Sequence, residues 1–377
     1  MTSPHSAPQP KRLAALDLMR GLVMLLMAVD HSSDAYNAGR VFTDSVNLYH
    51  PGAALPVAQF LVRWVTHLCA PTFLFLAGTG LAFTVRKELS RGKTQASVDR
   101  YLLTRGLVIA GSELWISLFV MPRGMYLFQV LYAIGTSYLL MIPLRRLPNS
   151  VAFGLGVALV LLLELVCGLT RLAFGEQTPL WATLLILPHD SAHLIVGYPT
   201  LHWLALMLLG WGFGNYLLDR PAALVHVGRK LGLVGVASLG VFLVVRGLNG
   251  YGNMRLLRAD GSLVQWLHVS KYPPSLTYIL LELGICFVCL AGFFALAKVR
   301  PPKPNHLLMV LGQTPMFFYL LHFPMLVESA HFLRVESKLG LGATLLAAAS
   351  VIAILYPACR AYRSYKSAHK RSWARYI

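Results

Sequence analysis

The sequence is short of charge, and what charge it carries is lopsided. Charged residues make up 13% of the 377, against about 25% in an ordinary soluble domain. Only 15 are Asp or Glu, facing 33 Lys and Arg, for a net charge of +18. Amphipathic striping, which a soluble fold of this length needs, is also missing. No internal repeat is visible, and no polar stretch is long enough to fold as a separate soluble domain. The basic residues are spread over short loops and not gathered in one folded patch, which argues against nucleic-acid binding. Cysteine is scarce too. Cys69, Cys167, Cys286, Cys289 and Cys359 all fall in or at the edge of apolar spans. The Cys286–Cys289 pair has no second pair to complete a metal site and reads as packing. His189-Asp190 with His193 resembles part of a metal site but lacks a fourth ligand, so no metal is expected.

What is there is hydrophobic sequence in long blocks: 56% of all residues, in runs such as 13–29, 151–167, 231–245 and 339–355. Each run approaches the ~20 residues with which a helix crosses a ~30 Å hydrocarbon layer. The expected fold is an all-α integral membrane protein, a bundle of about ten transmembrane helices. The spans are placed near 13–32, 57–85, 101–121, 127–144, 149–169, 200–219, 230–246, 274–297, 306–328 and 339–358. Pro71 is expected to break the long second stretch into a short outer helix and a crossing one. With both termini cytoplasmic, about 22 of the Lys and Arg fall inside and about 9 outside, as the positive-inside rule requires. The same excess attracts anionic lipid headgroups.

Residues 1–12, rich in Pro and Ser, are read as a disordered cytoplasmic N-terminus. Residues 13–358 form the transmembrane domain, and 359–377 a basic cytoplasmic tail. The first helix carries Asp17 and Arg20 and shows no clear cleavage site, so it is not read as a cleavable signal.

Ionisable groups inside a bilayer are costly, roughly 2.5–3.5 kcal/mol or more at the centre of a span, and they mark the informative positions. Arg20 and His31 lie eleven residues apart, almost a whole number of turns. They therefore share one face of the first helix, about 16 Å apart along its axis, with Arg20 toward the cytoplasm. Asp17 is spaced to pair with Arg20 across one turn. Arg63 and His67 share a face of the second stretch, just before Cys69-Ala70-Pro71. Glu113, Glu164 and Glu282 are read as partners of buried arginines or as neutral acids. Most histidines fall on the outer side, where imidazole chemistry on an acceptor is one reading and interfacial placement the other. The connection 170–199 is expected to dip back into the bundle as a lid. The loop 249–274, with Arg255, Arg258, Trp266 and Lys271, offers a surface for an acidic or sugar-like acceptor. A transporter of a small anion or lipid-linked substrate would need the same buried Arg, Glu and His, and is the alternative. A non-catalytic membrane scaffold is a third reading.

Several segments resemble one family. Asp17-Leu18-Met19-Arg20-Gly21 with Met27, Asp30 and His31 is similar to the opening helix of the heparan-alpha-glucosaminide N-acetyltransferase-like membrane acyltransferases, in their bacterial branch. Trp64-Val65-Thr66-His67-Leu68-Cys69-Ala70-Pro71, continuing to Leu76-Ala77-Gly78, resembles that branch's second motif. Lys271-Tyr272-Pro273-Pro274-Ser275-Leu276, and Gly312 with Thr314-Pro315 through Leu321-His322, resemble its C-terminal motifs. The chain departs from the lysosomal members at His31, where they carry Asn, and at His202-Trp203, where relatives often carry Pro-Trp. His50 stands nearest the position of the lysosomal catalytic histidine.

The resemblance implies an acyltransferase that moves an acetyl group from cytosolic acetyl-CoA to an extracytoplasmic acceptor, an amino sugar or hydroxyl of an envelope glycan. Arg20, Arg105 and Arg145 would hold the phosphates of acetyl-CoA. His31 or His67 would be the general base, with Asp30 orienting an imidazole. Arg63 or His322 would stabilise the oxyanion, and Lys271 and His202 would line the acceptor site. The implied partners are acetyl-CoA, a glycan or small-molecule acceptor and membrane lipid, with homodimerisation left open and no nucleic acid. The implied location is a bacterial inner (plasma) membrane.

Overall fold

Long apolar runs bounded by Pro, Gly and Asn become helices here because a helix satisfies its own backbone hydrogen bonds without water. The computed structural model of the chain describes residues 13–175, 177–369 and 372–376, so the expected N-terminal segment 1–12 lies outside the described residues. In chain order the helices are α1 (Ala14–Tyr36), α2 (Val57–Thr66), α3 (Cys69–Ser90), α4 (Gln95–Val120), α5 (Val130–Leu144), α6 (Asn149–Phe174) and α7 (Leu180–Leu185). They continue with α8 (Thr200–Asp219), α9 (Val227–Leu248), α10 (Leu263–Leu267), α11 (Leu276–Val299), α12 (Leu307–Gln313), α13 (Pro315–Leu333) and α14 (Leu341–Ala368).

Among the described residues, eight helical segments are long and apolar enough to cross a membrane, counting Val57–Ser90 as one. The protein is an all-α, multi-pass membrane protein. Two of the ten expected spans fall outside that set for visible reasons. α1 is 23 residues long but carries Asp17, Arg20, Asp30 and Asp34, and α5 has only 15 residues.

α1 is the hub, in contact with α2, α3, α11, α12, α13 and α14. Glycines set how closely it packs: a Cβ on Gly312 would fall 1.9 Å from the Asp17 carbonyl, and one on Gly21 2.0 Å from that of Leu308. The helix pairs α3–α8, α4–α5, α6–α8 and α9–α11 complete the bundle. The break in the second stretch falls at His67–Leu68, ahead of Pro71. Pro71 sits in the first turn of α3, where its missing N–H costs nothing. The Tyr278 hydroxyl donates to the carbonyl of His67, 3.0 Å away, and so satisfies backbone that the break exposes.

The two ends of the bundle differ. Where α1 begins, the helix ends are tied by basic residues: Arg86 pairs with Asp219 (2.5 Å), Arg145 and Arg146 with Asp99, and Lys298 reaches the Val225 carbonyl (2.6 Å). α14 continues as helix to Ala368, into the basic tail expected from 359. The opposite end is closed by loops. A small sheet of β1 (Tyr126–Phe128), β2 (His189–Asp190) and β3 (Leu194–Val196) runs in the order β1-β3-β2. β1 is parallel to β3, with Tyr126 opposite Leu194, and β2 is antiparallel to it. The segment 170–199 is therefore partly strand, with its own Ile186 and Leu187 buried. The loop 249–275 is folded around the fully buried Arg246. That guanidinium donates to Asn253 Oδ1 and to the carbonyls of Leu256, Gln265, Trp266 and His268. Arg258 stacks on Trp266, 4.1 Å from the ring centre. These two arginines hold the loop's shape.

Candidate active site

Two cavities lie along α1. One, of about 370 Å3, sits under the loops and is lined by Asp30, His31, Arg40, Arg63, Lys271 and Tyr272 among others. The other, of about 510 Å3, opens at the basic end and is lined by Asp17, Arg20, Lys87, Arg105, Gln313 and Lys366 among others. Met27, Phe73, Val130 and Tyr319 line both. Arg20 and His31, one face of one helix, thus look into adjoining spaces.

His31 is buried, its ring stacked on Phe323 with centroids 3.8 Å apart. Its Nδ1 lies 2.9 Å from Nε2 of His322, whose own Nδ1 lies 2.9 Å from the Phe318 carbonyl. A carbonyl can only accept, so His322 carries its proton on Nδ1 and offers Nε2 as an acceptor. His31 must then donate from Nδ1, which leaves an unshared pair on its Nε2. The contact between two helices fixes which nitrogen of His31 keeps its unshared pair.

Asp30, next in sequence, was expected to orient an imidazole and is engaged otherwise. Its carboxylate takes Arg63 (2.8 and 3.0 Å), Arg40 (3.0 Å) and the Thr66 hydroxyl (3.0 Å). The residue that orients His31 is His322, which in turn leaves His322 without a free proton for an oxyanion. Arg63 is equally occupied, bridging Asp30 to Asp44 through Nε (2.7 Å) and reaching the Tyr272 hydroxyl (3.3 Å).

Asp44, in the loop after α1, also lies 3.2 Å from His67 Nε2 and accepts the backbone N–H of Lys271 (2.7 Å) through its carbonyl. Burial alone would raise its carboxyl, but Arg63 and His67 outweigh that and hold it well below the usual carboxylate range. Lys271 and Arg63 likewise outweigh burial at Tyr272 and pull its phenol below the ordinary value. His268, whose Nε2 lies 2.8 Å from the Thr43 carbonyl, ties the two loops together. Burial lowers its pKa.

At the basic end Arg20 pairs with Asp17 (2.9 Å) and reaches the Leu76 carbonyl (3.3 Å). Arg105 donates to the Tyr101 hydroxyl (3.0 Å) and lies 5.5 Å from the centre of the Tyr138 ring.

Of the expected site residues, the structure brings Asp30, His31, Arg63 and Lys271 together at one cavity, with His322 bound to His31 behind its wall, and Arg20 and Arg105 at the other. Three residues lie apart. His67 lines neither cavity; it is buried a layer beneath, against Asp44 and edge-on to Tyr278. Arg145 faces a separate cavity of about 360 Å3 with Arg86 and Arg146, bound to Gln95 and Asp99 (each 2.6 Å). His202 is buried against the Ile186 carbonyl (2.9 Å) and Cys167, where it anchors the segment below the lid. His50 is exposed and lines neither cavity. Sequence reasoning missed Asp44, Arg40, Tyr272 and Tyr319. Only Tyr272 and Tyr319 lay within quoted motifs, and nothing in the periodicity marked Asp44 or Arg40.

No individual curated protein matches the chain. A family model described as heparan-alpha-glucosaminide N-acetyltransferase, catalytic, matches residues 12–246, more than half of the 377. That stretch contains Arg20, Asp30, His31, Asp44, Arg63 and Arg105, and the chain belongs to this family of membrane acetyltransferases, the heparan-alpha-glucosaminide N-acetyltransferase catalytic-domain family.

Proposed function

We propose that the protein transfers the acetyl group of cytosolic acetyl-CoA through the membrane to an acceptor outside it, an amino sugar or hydroxyl of an envelope glycan. One observation carries this reading: a cation-lined cavity and a histidine-lined cavity meet along a single helix, with four side chains in common. The orientation that suits it places the basic end in the cytoplasm of a bacterium, which agrees with the positive-inside rule. Both termini are then cytoplasmic.

Acetyl-CoA supplies an activated thioester and a polyanionic end. Arg20, Lys87, Arg105 and Lys366 provide the charge that such an end needs, with guanidinium forks suited to phosphate oxygens. In the other cavity His31 Nε2 removes the proton from the acceptor's amine or hydroxyl as it attacks. His322 fixes the ring through the acceptor atom opposite His31 Nδ1. The carboxylate of Asp30, one residue away, favours the imidazolium that forms, while Arg63 and Arg40 keep that carboxylate ionised and in place. Lys271 and Tyr272 line the same space and supply donors for the acceptor's hydroxyls.

Vesicles of both orientations test this. Acetyl-CoA added on the side of the basic end should acetylate glucosamine trapped on the other side, and added to the loop side it should do nothing. Passage of solute without any dependence on acetyl-CoA would replace the enzyme reading with that of a transporter.

A further inference from the structure

Of the four side chains common to both cavities, Met27, Phe73, Val130 and Tyr319, only Tyr319 carries a hydrogen-bonding group. Its hydroxyl is buried and finds no partner among the described residues. Such a phenol carries a desolvation penalty that nothing in the resting protein offsets, and buried polar groups left in this state call for an explanation. Its position suggests one. Tyr319 lies three residues before His322 on α13, hence on the same face, and its ring stands edge-on to both His31 and His322 at 5.6 Å.

We propose that Tyr319 is a catalytic hydrogen-bond donor, its hydroxyl binding the carbonyl oxygen of the acetyl thioester at the junction of the two cavities. This rests on the acetyl-CoA reading above. As the acceptor's nitrogen or oxygen attacks the carbonyl carbon, negative charge gathers on that oxygen and the phenol's bond to it strengthens. The nucleophile's proton passes to His31 Nε2. When the carbon–sulfur bond breaks, His31 returns the proton to the sulfur. The products are the acetylated acceptor and free coenzyme A thiol, and Tyr319 keeps its own proton throughout. The two residues expected from the sequence to stabilise the oxyanion are committed elsewhere: Arg63 to two carboxylates and His322 to Phe318.

The test is Tyr319→Phe, which keeps the ring and deletes one unpaired atom. The variant should melt no lower than wild type and still be stabilised by acetyl-CoA. Turnover with acetyl-CoA and glucosamine should fall about 10²–10³-fold, the usual cost of losing one oxyanion donor, with KM for acetyl-CoA little changed. A second readout needs no acceptor. Bound acetyl-CoA with an isotope-labelled acetyl carbonyl should show its infrared stretch moved to lower frequency in wild type and moved back in the variant. Bound acetyl-CoA with the same stretch in both proteins, or unchanged turnover in the variant, overturns the role of Tyr319 alone. Absence of any stabilisation of wild type by acetyl-CoA overturns the acetyl-CoA reading and this inference with it.

Discussion

The two cavities along α1 solve opposite electrostatic problems. Under the loops, four carboxylates (Asp30, Asp34 and Asp190 in the lining, Asp44 beneath it) meet three cations (Arg40, Arg63 and Lys271), and most of these charges are locked in short, buried pairs. At the basic end, Arg20, Lys87, Arg105 and Lys366 face a single lining carboxylate, Asp17. The first arrangement has almost no net charge left to attract a ligand, but it holds side chains rigidly and leaves one neutral imidazole nitrogen exposed to the cavity. The second is lined, among the described residues, by more cationic than anionic side chains. On the proposed function, the difference suits one end to positioning and proton transfer and the other to capture of a polyanion.

The strongest way to break this contrast is to remove the base. His31→Ala should lower turnover with acetyl-CoA and glucosamine by about 10²–10⁴-fold while the stabilisation by acetyl-CoA stays as in wild type. A parallel loss of binding would mean that the two cavities are not separate in function.

Next in size is the lock itself. Arg63→Met removes the cation shared by Asp30 and Asp44, leaving Asp30 to Arg40 and Asp44 to His67, and unfolding in detergent should show a loss of about 3–5 kcal/mol at neutral pH. Asp44 gives this a sign in pH. Its folded pKa lies below its unfolded value, so its stabilising effect is present above about pH 4 and lost as pH falls further. The gap between wild type and variant should therefore narrow on acidification below about pH 4. A gap that stays constant there would show that Asp44 is not held by Arg63.

A smaller effect is expected at the basic end. Arg20→Gln and Arg105→Gln should each weaken acetyl-CoA binding about tenfold, with turnover at saturation preserved and a steeper penalty at high salt in wild type. The smallest effect is expected at Arg145, which lines a different cavity from Arg20 and Arg105. Arg145→Gln, in its separate cavity, should leave affinity for acetyl-CoA within about twofold of wild type. A tenfold loss there would merge the two basic cavities into one site.

Much of this was legible in advance, and the reasons are particular. The ten expected spans each correspond to helix, because an apolar run of bilayer length has few alternatives. Pro71 marked the second stretch as broken but not where, since the break at His67–Leu68 is stabilised by Tyr278 from a distant helix. The pairing of Arg20 with Asp17 followed from spacing alone. Which residue would hold His31 did not, because His322 is 291 positions away. Asp44 lies in an irregular loop where no period applies, and it meets Arg63 only because that loop folds back over α2. The family match ends at residue 246; beyond it, Lys271, Tyr272 and Tyr319 line the same cavity and His322 binds His31.

The sequence by itself determined that this is a helical membrane protein and that a guanidinium and an imidazole share one side of its first helix. Both follow from local rules, the apolar length that spans lipid and the pitch of the helix. Only the tertiary structure decided which carboxylate meets which cation, which nitrogen of His31 is basic, and where the two cavities touch. Those depend on contacts between segments far apart in the chain, and no period within a segment encodes them.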